Sequence, residues 1–393
     1  MAIHVFLHVP KTAGSSLRTV LSRQYGARHV LYYDLPAGDR RPLPEIEAEL
    51  RQRLGKRQAR LITGHQFLGI HQVLRVPCTY FTMLRDPIDR VLSEYFYAFT
   101  YPHHRLGEAI TSGRLSPMEF LASPRHAQPA AQAAQLAGRA TRPVVEAAIA
   151  NIDHAIAAVG IAEEFERSLL LIARRLGWAP PLFVARNVTR LDPAQAEARA
   201  AARREAEAHR PLYAPDAAVH AAARRRFEAD IAAEGPAFEA AFAAFSALQA
   251  QLAARAGDQV YDRYEFRTDD ELPPFAAELR QSDEYRAVEA FLAAPRPPDR
   301  RILNCAGAIE SLEDGVLRGW ALDLADPAPV TVRLLSGGEV LAATRAQLRR
   351  PPEADGPGGF SGFRLPLPPG RKDLRLVFGE TAIAVPDPAR LLP

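Results

Sequence analysis

One stretch of sequence decides the fold of this chain: His8-Val9-Pro10-Lys11-Thr12-Ala13-Gly14-Ser15-Ser16. An apolar, β-forming run over Ile3–His8 leads into it, and a helical pattern from about Ser15 to Tyr25 follows. Gly14 allows a tight turn, and the free amides at the start of such a helix face an anion. The stretch therefore predicts a phosphate-binding loop. The alternative is an ordinary strand–turn–helix with a capping serine and a solvent-exposed lysine.

A second stretch repeats this arrangement: Leu84-Arg85-Asp86-Pro87-Ile88-Asp89-Arg90-Val91-Leu92-Ser93-Glu94-Tyr95. It follows the apolar run Thr79–Leu84, and its proline stands at an early helical position, where proline is tolerated. Ser93 lies eight residues after Arg85, which is about two helical turns. An arginine and a hydroxyl are suited to hold a second phosphate. The alternative is an ordinary helix start, with Asp86 as the cap and Arg85 in a salt bridge.

Further apolar runs alternate with helical patterns along the first two thirds of the chain. Arg60–Thr63 and Ala155–Ile161 are β-forming runs, and Glu163–Leu176 is an amphipathic helical pattern. This alternation predicts an α/β fold, with a P-loop-like parallel sheet flanked by helices and both phosphate-binding stretches at strand ends. Residues 193–256 are rich in Ala, Arg and Glu and predict a helical extension, broken once near Pro211 and Pro215.

Three units are expected along the chain. Residues 1–256 form the first, residues 257–300 a linker or helical segment, and residues 301–393 an all-β, sandwich-like accessory domain. The proline cluster Pro295–Pro298 marks the boundary before the last unit. The last unit consists of short alternating runs and contains no catalytic constellation.

Composition excludes several classes of protein. The chain of 393 residues carries a net charge of only +3, and its arginines are interleaved with acids, so nucleic acid is not an expected partner. Cys78 and Cys305 lie far apart and predict buried thiols in a reducing compartment. No apolar run approaches the roughly 20 residues of a membrane helix. Met1–Leu7 lacks a basic region, so we expect a core strand, no signal peptide and a cytoplasmic protein. The abundance of Ala, Arg and Pro is typical of a GC-rich bacterial genome.

Together and in this order, the two stretches resemble sulfotransferases that use 3′-phosphoadenosine 5′-phosphosulfate (PAPS). They are most similar to the carbohydrate group that includes the heparan sulfate 2-O- and 6-O-enzymes and bacterial relatives. Pro10–Ser16 matches that family's 5′-phosphosulfate loop, and Arg85–Tyr95 matches its 3′-phosphate motif nearly position for position. The resemblance covers about residues 1–255 and extends weakly through Gly160–Phe165 and Arg186–Thr189.

Two segments differ from this pattern. Gln132–Gly138 keeps part of a further family motif but has alanines in place of a Thr-Arg pair, which points to a different or less acidic acceptor. Gly315–Asp323 is similar instead to a β module appended to bacterial carbohydrate-active proteins.

The resemblance implies a role for each site residue. Lys11 would neutralise charge on the bridging oxygen as the sulfuryl group leaves. Arg85 would grip the 3′-phosphate, and Ser93 would donate a hydroxyl to it. No metal is implied, and the product is 3′-phosphoadenosine 5′-phosphate (PAP). The 5′-phosphate would be held by amides and hydroxyls of the loop residues Lys11, Thr12, Ala13, Gly14, Ser15 and Ser16.

His65 is the predicted general base. It directly follows the second β-forming run and Gly64, and the family's base stands in a similar strand-end Gly-His setting. An acceptor hydroxyl loses its proton as it attacks, and imidazole is the side chain that exchanges a proton near neutral pH. The alternative for His65 is a cap on the following helix. The remaining histidines are weaker candidates: His8 is expected in the core and His71 is a distant second choice. His103 and His104, beside Arg105, are expected in solvent, with contact to an anionic acceptor as the alternative.

The predicted function is transfer of the sulfuryl group from PAPS to a hydroxyl of a glycan or glycoconjugate, by in-line displacement. A P-loop-type nucleotide-dependent kinase is the second hypothesis, but the Walker glycine spacing and a clear magnesium-binding aspartate are absent. The third is a non-catalytic protein whose residues 301–393 bind carbohydrate. Oligomerisation through the Ala/Arg/Glu helices is left open.

Overall fold

The computed structural model of the protein describes residues 2–35, 41, 43–99, 101, 103–138, 144–183, 191–256, 276–295, 302–324, 326, 328–336, 339–350, 359–369, 374–378 and 381–384. Its α-helices are α1 (Gly14–Tyr25), α2 (Leu43–Arg57), α3 (Ile70–Leu74), α4 (Pro87–Tyr97), α5 (Gly107–Thr111), α6 (Pro117–Ala122), α7 (Pro124–Ala127), α8 (Ala131–Ala137), α9 (Val144–His154), α10 (Phe165–Leu176), α11 (Pro193–Glu205), α12 (Ala214–Glu234), α13 (Pro236–Ala256), α14 (Ala276–Leu279) and α15 (Asp283–Ala293). Short 3-10 helices cover Ala27–His29, Ala162–Glu164 and Ala206–Tyr213.

The strands are β1 (Ile3–Leu7), β2 (Val30–Tyr32), β3 (Leu61–Gly64), β4 (Cys78–Leu84), β5 (Ile156–Ile161), β6 (Ile302–Leu303), β7 (Cys305–Glu313), β8 (Val316–Asp323), β9 (Thr331–Ser336), β10 (Glu339–Arg345), β11 (Leu348–Arg350), β12 (Gly359–Pro366), β13 (Leu374–Phe378) and β14 (Thr381–Ala384).

Five parallel strands form the central sheet, in the order β2-β3-β1-β4-β5. Leu7 at the end of β1 lies beside Gly64 of β3 on one side and Thr82 of β4 on the other. The C-terminal ends of these three strands therefore meet at one edge of the sheet. Every residue of β3, β4 and β5 is buried, as expected when helices cover both faces of a parallel sheet. The prediction of a parallel sheet flanked by helices is confirmed.

Two predictions at the helices need correction. The first helix begins at Gly14 with Ala13 as its N-cap, so neither Ser15 nor Ser16 caps it. The helical extension is broken twice rather than once. Its first break is the 3-10 helix that contains Pro211, and its second is at Gly235, between α12 and α13.

Helix α15 packs onto the same apolar core as the central sheet. Its residues Val288 and Leu292 are buried in one cluster with residues of β1 and α10. Residues 296–300, which include most of the predicted proline boundary, lie outside the described residues. The three-unit division therefore stays a prediction.

The C-terminal strands form two antiparallel sheets, in the orders β11-β12-β8-β7 and β10-β9-β13-β14. Alternate residues of both sheets, such as Leu365 and Phe378, fill one shared apolar core. Strand β6 instead pairs antiparallel with the start of β4 in the central sheet. The β-strands expected in the C-terminal part of the chain are confirmed, and the structure shows that they pair antiparallel.

Cys78 and Cys305 are free thiols and both are buried, as their separation in the sequence predicts. Within the described ranges, no helix is long and apolar enough to cross a membrane. No group of three or more His, Cys, Asp or Glu side chains in those ranges is placed to hold a metal ion.

Candidate active site

The loop between β1 and α1 has the backbone shape of an anion-binding site. Lys11 and Ala13 have positive φ angles of 68° and 62°, in the left-handed region that side chains usually avoid. Left-handed Ala13 followed by helical Gly14 is the pairing from which backbone amide nests are made. Ala13 has no side-chain oxygen, and no side-chain cap hydrogen bond is made at the start of α1, a helix terminus of the kind that binds anions. This supports the phosphate-binding interpretation of the loop.

His8 lies beneath this loop and makes glycine necessary at position 14. A Cβ atom at Gly14 would stand 1.9 Å from His8 Nε2, closer than two unbonded atoms approach. Burial, followed by the charges of His65, Arg18 and Lys11, lowers the pKa of His8 to about 3, so its ring is neutral near neutral pH. His8 was expected in the core within a strand. It instead follows the end of β1 and packs directly under the candidate site.

The loop side chains have different tasks. Thr12 is fully buried, and its hydroxyl donates to the Val9 carbonyl at 2.8 Å, so it stabilises the loop. Ser16 lies in the first turn of α1 and is mostly buried. The side chain of Ser15 is outside the described part of the molecule.

Lys11 joins the two predicted phosphate-binding stretches. Its Nζ lies 3.5 Å from the centroid of the Tyr97 ring, a cation–π contact at the end of α4. Its backbone carbonyl accepts a hydrogen bond from Arg85 Nη1 at 3.1 Å. Two stretches separated by 74 positions in the sequence are therefore in direct contact at the sheet edge.

The second stretch forms the predicted helix start. The Asp86 carboxylate caps α4 by accepting from the amides of Ile88 (2.9 Å) and Asp89 (3.1 Å). The amide of Asp86 donates to Glu163 Oε1 at 2.7 Å, which ties the turn to the end of β5. Sequence reasoning identified the cap but not the support from Glu163.

Gln132 clamps the backbone of Arg85, and sequence reasoning missed this role. Its Oε1 accepts from the Arg85 amide at 3.0 Å, and its Nε2 donates to the Arg85 carbonyl at 2.8 Å. Asp216, fully buried, accepts in turn from the amides of Gln132 (3.2 Å) and Ala133 (2.8 Å). Burial raises the pKa of Asp216 to about 6, and nearby Arg90 opposes this shift. The predicted phosphate-binding arginine is thus held in place from α8 and α12.

Ser93 is half-buried on α4, one helical turn after Asp89. Within the part of the chain that the structure describes, no group hydrogen-bonds its hydroxyl. A serine hydroxyl both donates and accepts, so Ser93 is able to bind a ligand here.

His65 has the geometry of a general base. Its ring Nδ1 lies 2.9 Å from the His8 carbonyl oxygen. A carbonyl oxygen only accepts, so Nδ1 carries the hydrogen and Nε2 holds the lone pair. Gln135 Nε2 donates to the same carbonyl at 3.1 Å, and Asp34 Oδ1 accepts from the His65 amide at 2.7 Å. The His65 side chain is exposed, so Nε2 is accessible to an acceptor hydroxyl.

Gly64 allows His65 to stand at this point. Its φ is 151°, and a Cβ atom there would lie 2.2 Å from the Tyr33 carbonyl oxygen and 2.9 Å from Asp34 Oδ1. Any larger residue would push β3 away from the end of β2 and displace the imidazole that follows.

The other histidines are placed differently. His103 is exposed, whereas His104 is mostly buried with its Nε2 3.3 Å from Glu94 Oε1, so the expectation of solvent exposure is wrong for His104. His71 is fully buried on α3, where its amide donates to the Tyr80 hydroxyl at 2.9 Å. The same hydroxyl also lies 2.9 Å from His71 Nδ1, within hydrogen-bond distance. His71 is therefore a core residue and not a second base.

Acid should destabilise the protein partly through His71. Burial lowers the pKa of His71 to about 3, so the unfolded chain binds the proton more tightly and stability falls as the pH drops below about 6.5. Between about pH 7 and pH 5 this one group accounts for about 2 kcal/mol of lost stability. Between pH 7 and pH 5, we expect the free energy of unfolding of His71→Leu to fall less than that of the unaltered protein. Denaturant titration at each pH measures it. If the free energy of unfolding of His71→Leu fell with pH as steeply as that of the unaltered protein, His71 would not be the group responsible. His103→Leu is the control at an exposed histidine.

Comparison with known proteins places the site in a family. Residues 2–255 match the family model described as Galactose-3-O-sulfotransferase. Human Galactose-3-O-sulfotransferase 2 is 30% identical over 220 residues, which cover 48% of this chain and 53% of the human protein. The chain thus spans about half the length of that curated relative. All the site residues described above fall within the matched range, whereas β6–β14 lie beyond it. Arg186–Thr189, part of the weaker resemblance, lies outside the described residues.

Proposed function

Because the chain belongs to the galactose-3-O-sulfotransferase family, we propose that it is a PAPS-dependent O-sulfotransferase with His65 as its base. The same match confirms the expected carbohydrate sulfotransferase family, with sulfuryl transfer to a carbohydrate as its general activity. One observation carries the finer proposal. The His8 carbonyl accepts from His65 Nδ1 directly beneath the loop that holds Lys11, so base and loop are fixed at one point.

The donor would lie across the C-terminal ends of β1 and β4. The uncapped amides of α1 support binding of the 5′-phosphosulfate, since nothing on Ala13 competes for them. Arg85, clamped by Gln132, and the unused hydroxyl of Ser93 support binding of the 3′-phosphate. Lys11 belongs to the first stretch, and its carbonyl accepts a hydrogen bond from Arg85 of the second, so the two stretches are in direct contact.

The transfer step follows from these positions. The acceptor hydroxyl attacks sulfur as the bond from sulfur to the 5′-phosphate oxygen breaks. His65 Nε2 takes the hydroxyl proton, and the Lys11 ammonium stabilises the charge that grows on the departing oxygen. The products are the sulfate ester and PAP. The human relative is named for galactose 3-O-sulfation, so a galactose residue is the acceptor to test first.

PAP should stabilise the protein on its own. A ligand that binds only the folded state adds about 2.7 kcal/mol at a hundred times its Kd, so we expect a higher unfolding temperature with PAP. Differential scanning calorimetry measures this, with ATP and Mg²⁺ as the comparison. If micromolar PAP did not bind, the proposal would be abandoned. Turnover of ATP with Mg²⁺ would favour the kinase hypothesis instead.

The acceptor requires a direct assay. Labelled PAPS is incubated with the protein and with galactose-terminated glycans, and mass analysis identifies the product that gains a sulfate.

The P-loop-like character of the sheet and a sandwich-like packing of the C-terminal strands belong to the same proposal. The parallel strand order with an anion-binding loop after β1 supports the first, and the core shared by the two antiparallel sheets supports the second. A cytoplasmic location and a bacterial source stay predictions.

A further inference from the structure

Arginines hold α11 and the 3-10 helix that follows it against the start of α4. Arg203 Nε lies 3.0 Å from Asp89 Oδ1, and its Nη2 lies 3.8 Å from Asp86 Oδ1. Arg210 Nη1 lies 3.5 Å from Asp86 Oδ2. Arg210 follows Arg203 in the chain, whereas its partner Asp86 precedes Asp89. The segment that begins with α11 therefore runs antiparallel to α4.

Arg199 lies one turn before Arg203 on the same face of α11. In the antiparallel arrangement, this turn comes alongside the turn of α4 that carries Ser93, four residues after Asp89. Arg199 is half-buried, and no carboxylate among the described residues forms an ion pair with it. Arg199 is therefore a basic residue on the turn of α11 that this arrangement places beside the Ser93 turn.

Arg199 is also close enough to act on Arg85. Burial and then the charge of Arg199 hold the pKa of the Arg85 guanidinium below its usual value. Three carboxylates act in the opposite sense, but each has other contacts: Glu163 accepts from the Asp86 amide, and Asp86 and Asp89 pair with Arg203. Two like charges therefore act on each other, and among the described residues no carboxylate forms an ion pair with either guanidinium.

We propose that Arg199 is a second guanidinium for the 3′-phosphate of PAPS, together with Arg85 and Ser93. This inference rests on the proposed function. A phosphate dianion placed between two guanidinium groups relieves their repulsion and accepts charge-assisted hydrogen bonds from both. Arg85 gives one Nη1 hydrogen bond to the Lys11 carbonyl, which leaves other donors of its guanidinium for the phosphate.

The test compares two ligands that differ only in the 3′-phosphate. PAP carries it, and adenosine 5′-monophosphate lacks it. We expect Arg199→Gln to weaken PAP binding by about ten- to a hundredfold in titration calorimetry, the usual effect of losing a hydrogen bond to a charged group. Affinity for adenosine 5′-monophosphate should change by less than about twofold, because that ligand never meets Arg199. Arg199→Lys should retain part of the PAP affinity.

The controls distinguish a role of Arg199 in binding from structural damage and from failure of the proposed function. Arg204→Gln removes an exposed arginine from the same helix and should leave both affinities unchanged. Equal PAP binding by Arg199→Gln and the unaltered protein would overturn the role of Arg199 while leaving the proposed function intact. An equal loss of both ligands would also overturn it, because the effect would then be structural. Failure of the unaltered protein to bind PAP would instead refute the proposed function.

Discussion

His65→Ala is expected to abolish sulfuryl transfer while PAP affinity stays unchanged. A positioned base contributes about a hundred- to ten-thousand-fold to such a step, and the loss should fall on kcat. PAP affinity should not change, because the proposed base serves the acceptor hydroxyl, whereas the loop after β1 and Arg85 are proposed to hold the phosphates of PAP. Single-turnover transfer from labelled PAPS measures the rate, and titration calorimetry measures PAP binding.

A second variant separates chemistry from structure at this position. Nδ1 of His65 holds the His8 carbonyl at 2.9 Å, so alanine also removes a structural hydrogen bond. In His65→Asn the side-chain amide can still donate to that carbonyl but cannot accept the acceptor's proton. We expect His65→Asn to be as inactive as His65→Ala and to unfold at a higher temperature. Substantial activity in His65→Asn would show that His65 positions the loop and is not the base. His103→Ala is the control for loss of an exposed imidazole elsewhere on the protein.

Lys11→Met is expected to lower kcat by about a hundred- to a thousandfold, the usual result of removing one group that stabilises a developing oxyanion. In contrast to the His65 variants, it should also weaken PAP binding by about tenfold or more, because the product keeps the 5′-phosphate charge that Lys11 faces. The pattern of kcat and PAP affinity together distinguishes a stabiliser of the leaving oxygen from a base. Steady-state kinetics and calorimetry on the same preparation provide both values.

Methionine is chosen at position 11 because it should leave the backbone of the loop unchanged. Lys11 has a φ of 68°, and methionine suffers the same strain there, so the shape of the loop should be retained. Methionine also keeps a chain of similar length against the Tyr97 ring. Lys56→Met removes an exposed lysine on α2 and should leave both kcat and PAP affinity unchanged. An active Lys11→Met variant with normal PAP affinity would contradict the role assigned to Lys11.

Much of the fold follows from local pattern. Four of the five parallel strands are predicted to within about one residue, because each is a continuous apolar run followed by a turn or helix signal. Strand β2, Val30–Tyr32, is not predicted, since three residues are too few to show a period. In the C-terminal part of the chain, β12 (Gly359–Pro366) contains two glycines and a proline that conceal its alternation.

The candidate site also contains residues that the local sequence predicts and residues that it does not. Lys11, His65, Arg85 and Ser93 all lie within short stretches whose residue types and spacing indicate their chemistry. Gln132 and Asp216 do not, because their task is to hold a backbone 47 or more positions away, and no local pattern indicates a hydrogen bond of that span. The signal available for Gln132 was its place in the partial family motif of Gln132–Gly138, which was interpreted in terms of the acceptor alone.

By itself, the sequence determined the parallel sheet, the two strand-end stretches and the residue types that bind phosphate, because strand, turn and helix signals act over a few neighbouring residues. Only the tertiary structure decided which atoms of those stretches meet. The His8 carbonyl selects the His65 tautomer, Gln132 fixes the backbone of Arg85, and Arg203 holds α11 against Asp89 at the start of α4. These contacts join elements far apart in the chain, and their geometry is set by strand register and helix packing, which exist only once the chain has folded.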